Sequence, residues 1–394
     1  MFDPKRAHNE LAPLPPKAEI ETRDVLKRWG LARAALAELR LAGQTIPDQS
    51  VLIGNIPLLE AKDSSEIENI VTTNDALFRE ASLEEEDGDI GAKDALKYRA
   101  ALYYALNSIK ERPISSRTAI EICQTVTGVK LDVRAVPVTL TNKHTGEITY
   151  TPPQGAVVLR DLLSNWDQFL HQEADGLDPL IRMAILHYQF EAIHPFPDGN
   201  GRTGRILNVV YLIQSGLLDL PTLYLSRHIL KTRGEYYSKL GRVTSHGEWE
   251  NWIVYMLTAV ETTSNWTSKK IGSIRGLLNE TTDYVRAELP KIYSRDLMDA
   301  IFIQPYCRIA TLVDRGIAKR QAASTYLKEL VRIGVLLEGR AGKEKIFLHK
   351  KYFDLLSADE HVFVPYDRTV LSPEPKKTGL PNAVRAKHKS SKRD

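Results

Sequence analysis

The feature that most constrains this chain is an apolar segment that runs straight into a glycine-rich one. Asp178-Pro179 sets a capping carboxylate before a proline at the first helical position. LIRMAILHYQFEAI, residues 180–193, is then apolar on nearly every face, as the central helix of an α-helical domain should be. It delivers the chain into HPFPDGNGRTGR, residues 194–205, and another long helix, RILNVVYLIQSGLL, begins at once. The fold has to be built around that junction.

The junction holds a histidine, a carboxylate, an asparagine, two arginines and three glycines in twelve positions. Gly199, Gly201 and Gly204 satisfy GxGxxG, and the stretch nearly satisfies a P-loop, with Arg205 and Ile206 where Lys and Ser/Thr belong. Both motifs require a β-strand before the glycines, and here the preceding segment is helical. Their shared physics still applies, because glycines at a helix start let an anion approach free N–H groups and the positive end of the dipole. Arg202 and Arg205 lie one turn apart, so two guanidiniums can face one polyphosphate. Asp198 beside phosphates calls for a divalent cation, and magnesium accepts one carboxylate plus phosphate oxygens. His194, at the mouth, can serve as a general base. Residue by residue, a capped helix–helix turn with surface arginines explains as much; the combination points to a polyphosphate site.

Elsewhere, helical periodicity covers about Arg23–Arg40, a segment that starts at Asp63, and about Ala92–Lys110, after an extended Pro-rich opening. VPVTLTNKHTGEITYTPP, residues 136–153, alternates and turns like a β-hairpin. Further helices carry Gly234–Leu240 and EWENWIVYMLTAV. Near Pro290 the pattern changes to helix, turn, helix and a β-wing at Gly339–Gly342, the order of a winged helix. Only Cys123 and Cys307 are present, without CxxC spacing, which excludes a Cys-based zinc cluster and a disulfide framework. No apolar run reaches membrane-spanning length, the N-terminus lacks an apolar h-region, and the expected compartment is the cytoplasm. A net charge of +3 makes no general demand for nucleic acid. The acidic run Glu84–Asp89 and the basic tail Lys376–Arg393, with seven Lys or Arg and no acid, read as solvated segments.

HPFPDGNGRTGR resembles the core motif of the Fic family, His-x-Phe-x-Asp/Glu-Gly-Asn-Gly-Arg-x-x-Arg, at every fixed position. Gly201-Arg202 sets it on the Fic side of the family rather than with its Doc-type kinases. The resemblance implies a mainly α fold: an N-terminal helical region over 1–95, a Fic core over 96–285 with a β-hairpin flap, a winged-helix domain over 290–360 and a flexible tail over 361–394. It implies transfer of AMP from ATP to a Ser, Thr or Tyr hydroxyl of a target protein. In that scheme His194 takes the hydroxyl proton, Asp198 holds Mg²⁺, and Gly199, Asn200, Gly201, Thr203 and Gly204 lie along the ATP. Arg202 and Arg205 bind the β- and γ-phosphates, and Phe196 anchors the loop. Ile148, Thr149 and Tyr150 of the flap would line the nucleotide, an ordinary surface hairpin being the alternative. Tyr236 resembles the family's nucleotide-contacting tyrosine, although packing alone also explains it.

KDSSEIENIVTT, residues 62–73, reads plainly as a helix capped by Asp63 with Glu66 three residues on. That leaves Glu68 without a role. Ser64-x-x-x-Glu68-Asn69 resembles the Fic inhibitory motif on a helix of about 63–72, which implies that Glu68 pairs with Arg205 and excludes the γ-phosphate from its place. Two alternatives stay open: a hydrolase that removes AMP with the help of Glu68, and a DNA-binding regulator with a nucleotide-sensing core. Lys319, Arg320 and Lys328 fall on the would-be recognition helix. The small residues of AASTYL favour a structural or partner-binding module over DNA. Dimerisation is an expectation by analogy only.

Overall fold

The computed structural model describes residues 2–367, apart from 84–87, 143–144, 173–174 and 342–343. Among the described residues the chain is mainly helical and divides into two compact units, Met1–Arg275 and Gly276–Asp394. None of the helices is long and apolar enough to cross a membrane.

The first unit contains α1 (Arg23–Gly43), α2 (Ser50–Ile67), α3 (Asn74–Leu83), α4 (Ile90–Ser108) and α5 (Ser116–Thr127). A small hairpin of β1 (Leu140–Thr141) and β2 (Ile148–Tyr150) follows. Then come α6 (Ala156–Leu170), α7 (Pro179–Ile193), α8 (Asn200–Gln214), α9 (Leu225–Lys231), α10 (Arg233–His246) and α11 (Trp249–Glu288). The boundary between the units falls within α11. At the start of α7 Asp178 accepts the Leu180 N–H at 2.8 Å, and Pro179 costs no hydrogen bond there. Almost every residue of α7 is buried, as are Ile206–Leu212 of α8. These two helices form the centre on which α5 and α6 pack.

Several expectations are corrected. The helix expected to start at Asp63 instead ends near it: α2 begins at Ser50, because the apolar run Val51–Leu59 buries against α4 and α9. Asp63 caps nothing; it is buried and accepts the Tyr224 hydroxyl at 2.6 Å. The division after residue 95 falls inside the unbroken α4. The hairpin is shorter than its alternation suggested, since Val136 and Val138 flank Pro137 and lie outside the strands. Its turn residues Lys143 and His144 lie outside the described residues, as do Glu84–Asp87 and Lys376–Arg393 of the charged runs. The opening segment, expected to be extended, instead makes turns in which the Arg6 and Leu11 N–H groups bond the Asp3 and His8 carbonyls. It is held in place where His8 donates its N–H to Thr151 at 3.0 Å and Phe2 stacks on Tyr150.

The second unit carries α12 (Arg295–Ile303), β3 (Tyr306–Arg308), α13 (Ile309–Asp314), α14 (Arg320–Arg332), β4 (Leu337–Ala341), β5 (Glu344–Leu348) and α15 (Lys350–Ser357). The strands form an antiparallel sheet in the order β3-β5-β4. Ala323, Leu327 and Leu330, at helical spacing, turn one face of α14 inward. The segment expected to be flexible from 361 onward holds Tyr366 stacked on Tyr284, ring centroids 4.6 Å apart.

Candidate active site

Helix α7 ends at His194, which adopts the left-handed conformation (φ 49°) while its N–H still bonds the Phe190 carbonyl. Among the described residues only Asn69 and His194 have positive φ without being glycine. Both belong to this site. Such strain persists only where the surroundings over-determine it, and here Arg134 does so. It donates Nε–H to the His194 carbonyl at 2.8 Å and Nη2–H to the Pro153 carbonyl at 2.6 Å, while its backbone N–H bonds Pro195 at 2.9 Å. One buried guanidinium thus ties the His-Pro turn to the end of the hairpin. Nothing in the sequence marked Arg134 beyond its being the lone cation in LDVRAVPV.

The loop that follows is held from within. Phe196 is fully buried, and the Asn200 amide both accepts the Phe196 N–H at 2.9 Å and donates to the Phe196 carbonyl at 2.8 Å. Asn200 therefore staples the loop instead of offering its side chain to a ligand. Gly199 caps α8 with φ 81°, a conformation that favours glycine. Cys123 donates Sγ–H to the Asp198 carbonyl at 3.2 Å, and burial pushes its thiol up to about 12, so it is neutral support. Asp198 itself reaches outward, its side chain 80% exposed, with Oδ1 accepting the Gly199 N–H at 2.7 Å.

Both arginines of the motif are buried and already engaged. Arg205 donates Nε–H to Ser64 Oγ at 2.8 Å and Nη2–H to the Ser64 carbonyl at 3.0 Å and to Glu68 Oε1 at 2.8 Å. Arg202 pairs with Asp94 and, at 3.3 Å, with Asp198. Asp94 in turn accepts the Ser65 hydroxyl at 2.7 Å, so adjacent serines at the end of α2 reach one arginine each. The Glu68 carboxylate lies so close to Gly201 that a Cβ there would stand 2.4 Å from Oε1. Burial works against the Glu68 charge, but Arg205 overrides it and holds the carboxyl below the usual range. Burial, reinforced by Arg134, lowers the His194 imidazole to about 4, leaving it neutral near pH 7. Burial also raises Glu191 to about 7, against the opposing pull of Arg205.

The end of α2 explains Asn69. Glu68 is the C-cap, Asn69 takes the left-handed position (φ 66°), and the Ile70 N–H returns to the Ser65 carbonyl at 3.0 Å. This is a Schellman-type stop, where glycine or asparagine is preferred. The stop fixes the direction of Glu68.

Two sequence expectations fare differently. Tyr236 is buried in the core, its hydroxyl 2.9 Å from His187 Nε2 and its ring against Trp252 and Tyr255, so it is not presented to a nucleotide. Its neighbour Tyr237 is the exposed one; burial of its hydroxyl and the Glu68 charge raise it to about 12. Sequence periodicity does not distinguish adjacent tyrosines. On β2, Tyr150 turns inward and donates to the Ala192 carbonyl at 2.8 Å, while Thr149 faces out and Ile148 is half-buried.

Three family descriptions match the chain: Fic/DOC family N-terminal over residues 26–107, Fic/DOC family over 113–212, and Protein adenylyltransferase SoFic-like, C-terminal domain, over 277–352. Protein adenylyltransferase fic-1 of Caenorhabditis briggsae is 28% identical over 227 residues, 58% of this chain and 41% of that protein. Its Caenorhabditis elegans counterpart is 31% identical over 175 residues, 44% of this chain and 32% of that protein. The chain thus spans less than half the length of these relatives. The crystal structure of a Fic family protein from Desulfovibrio desulfuricans superposes with a TM-score of 0.55, covering 85% of this chain and 98% of that one. At 17% identity this likeness speaks to the fold alone. With the motif, the fold and three matching domains in agreement, the chain belongs to the Fic/DOC family.

Proposed function

We propose that the chain is an autoinhibited protein adenylyltransferase that moves AMP from ATP to Ser, Thr or Tyr hydroxyls of target proteins. The observation that carries this reading is the Arg205 guanidinium, 1% exposed and held by Ser64 and Glu68 beside a neutral histidine. A buried cation has to be neutralised. With Glu68 in place, the γ-phosphate of ATP has no claim on Arg205; with Glu68 withdrawn, the phosphate is the natural replacement.

In the released state the N–H groups at the start of α8 and the two arginines orient the triphosphate. The neutral His194 imidazole accepts the proton of the target hydroxyl as its oxygen bonds the α-phosphorus, and the bond to pyrophosphate breaks. Charge accumulating on the leaving pyrophosphate faces Arg202 and Arg205, which need no reorganisation to meet it. Asp198 fits magnesium by its outward carboxylate, and no cluster of three metal-ligating side chains exists among the described residues, so phosphate oxygens and water would complete the shell. A magnesium ion held there would supply further neutralisation of phosphate charge.

The test follows label from ATP carrying it on the α-phosphate. Wild type, Glu68→Gly, and Glu68→Gly combined with His194→Ala are compared. Label that rises with Glu68→Gly and vanishes in the double variant supports the reading. Absence of label in all three, with nucleotide still bound, overturns it. Loss of AMP from pre-labelled protein in wild type but not in Glu68→Gly would favour a hydrolase instead.

A further inference from the structure

The second unit carries a surface that the proposed activity does not use. Residues 315–328, RGIAKRQAASTYLK, contain Arg315, Lys319, Arg320 and Lys328 and no acid. Lys319, Arg320 and Lys328 are exposed, and none forms an ion pair among the described residues. Elsewhere in this unit cations are commonly matched: Arg295 with Asp299, Arg308 with Glu344, Arg332 with Glu329, Lys350 with Asp354. A patch of unmatched charge on one helix is the footprint of a polyanion.

The face of α14 sharpens the assignment. In sequence the small residues of AASTYL spoke against reading bases, but the structure sorts them. Ala323 and Leu327 point into the core, and the opposite stripe carries exposed Gln321, Thr325 and Lys328, with Ser324 half-buried beside them. These are hydrogen-bonding side chains of the length that reaches base edges, flanked by cations that reach phosphates. Helix α13 precedes α14 through a short turn, and β4 and β5 follow as a wing, where Arg340 is exposed and its cross-strand neighbour Lys345 is matched by Glu338.

We infer that this unit is a double-stranded DNA-binding module that places α14 in the major groove, with the wing on the flanking backbone. B-form DNA is the partner the shape selects, because the A-form major groove is too narrow for a helix. The inference does not depend on AMP transfer.

The experiment uses the full chain and fluorescence anisotropy with a labelled duplex DNA of mixed sequence, titrated between about 50 and 200 mM NaCl. Salt-sensitive binding is expected. Combined Lys319→Ala, Arg320→Ala and Lys328→Ala should flatten the log–log salt slope by about 2.7, that is 0.9 for each of three phosphate contacts. Gln321→Ala with Thr325→Ala should leave mixed-sequence binding intact. It should cost roughly tenfold on a duplex selected by the intact protein from a random pool. All five positions are exposed, so unchanged melting temperatures confirm folding. A third variant neutralises the basic tail in the full chain at Lys376, Lys377, Arg385, Lys387, Lys389, Lys392 and Arg393. The inference is overturned if duplex DNA does not bind, if only the tail variant loses binding, or if an RNA duplex binds equally well. It is also overturned if the triple variant binds like wild type.

Discussion

Helices α8 and α14 both present cations, yet they do so in opposite ways. On α8, Arg202 and Arg205 are buried and each is matched by carboxylates from elsewhere in the chain. On α14, Lys319, Arg320 and Lys328 are exposed, with no acid within ion-pair distance among the described residues. A buried guanidinium depends on its partner, because removing that partner leaves an uncompensated charge. An exposed one is satisfied by water and counterions. The first arrangement can therefore be switched by moving one carboxylate, whereas the second is offered permanently and tuned by salt.

The largest effect should come from breaking the match on α8. Glu68→Gly is expected to raise AMP transfer roughly 5- to 150-fold, the usual range for coupling between two sites, as followed with α-labelled ATP. Ser64→Ala removes only the bonds to its hydroxyl, including the one from Arg205 Nε–H, and leaves the Ser64 carbonyl and Glu68 in place. Its gain should be smaller. Equal gains from the two variants would mean that Glu68 is not the switch.

Salt separates the two surfaces next. Across a fourfold change in salt, the part of DNA binding that depends on three α14 cations should change about 40-fold. ATP binding to Glu68→Gly should change only a few-fold, since buried pairs are screened far less than exposed ones. Calorimetry for ATP and anisotropy for DNA provide the comparison. Parallel salt slopes would erase the distinction drawn between the helices.

What could be read in the sequence follows the same division. HPFPDGNGRTGR is contiguous, so its chemistry was legible as a string, and the helices leading in and out of it were set by apolar patterning. The partners of that string were not, because contact between residues far apart leaves no local trace. Asp94 meets Arg202 across 108 positions, and Arg134 meets His194 across 60. The start of α2 was misplaced because Asp63 and Glu66 imitate a capping box, whereas the burial that decides the helix lies upstream, in Val51–Leu59. Tyr236 and Tyr237 could be told apart only by the packing of Trp252 and Tyr255 around the first. On α14, too, only the fold separates the inward face of AASTYL from the outward one.

A smaller effect tests how firmly the switch is held. Asn69→Val places a β-branched residue in the left-handed position and should cost about 1–2 kcal/mol, read as a lower melting temperature. Because the strained position aims Glu68, partial escape from inhibition should accompany it. Asn69→Gly accepts the backbone without strain and loses only the exposed bond from Arg233, 3.0 Å long. It should stay inhibited, and an Asn69→Gly variant as active as Asn69→Val would detach the helix stop from the switch.

The smallest effect concerns Glu60, two turns before Glu68 along α2, which is buried and, among the described residues, carries no salt bridge of the kind that holds Glu68. It accepts the Ser226 N–H at 2.8 Å and the hydroxyls of Ser226 and Tyr98. Burial raises its carboxyl from 4.5 to about 7, with the Ser226 hydrogen bonds and Arg205 pulling the other way. Between those values the folded chain binds more protons than the unfolded one, so stability is full below about 4.5 and falls as pH rises towards 7. Glu60→Gln keeps an acceptor for Ser226 and removes the titration. Melting temperatures measured from pH 5 to pH 8 should therefore decline less in Glu60→Gln than in wild type. Any decline that persists has a second source in Glu191, which burial also raises to about 7. Identical profiles for the two proteins would mean that Glu60 keeps its ordinary carboxylate behaviour despite burial. Within one helix, then, Glu60 and Glu68 are pushed in opposite directions, and a close guanidinium is what separates the acid that stays charged from the one that titrates.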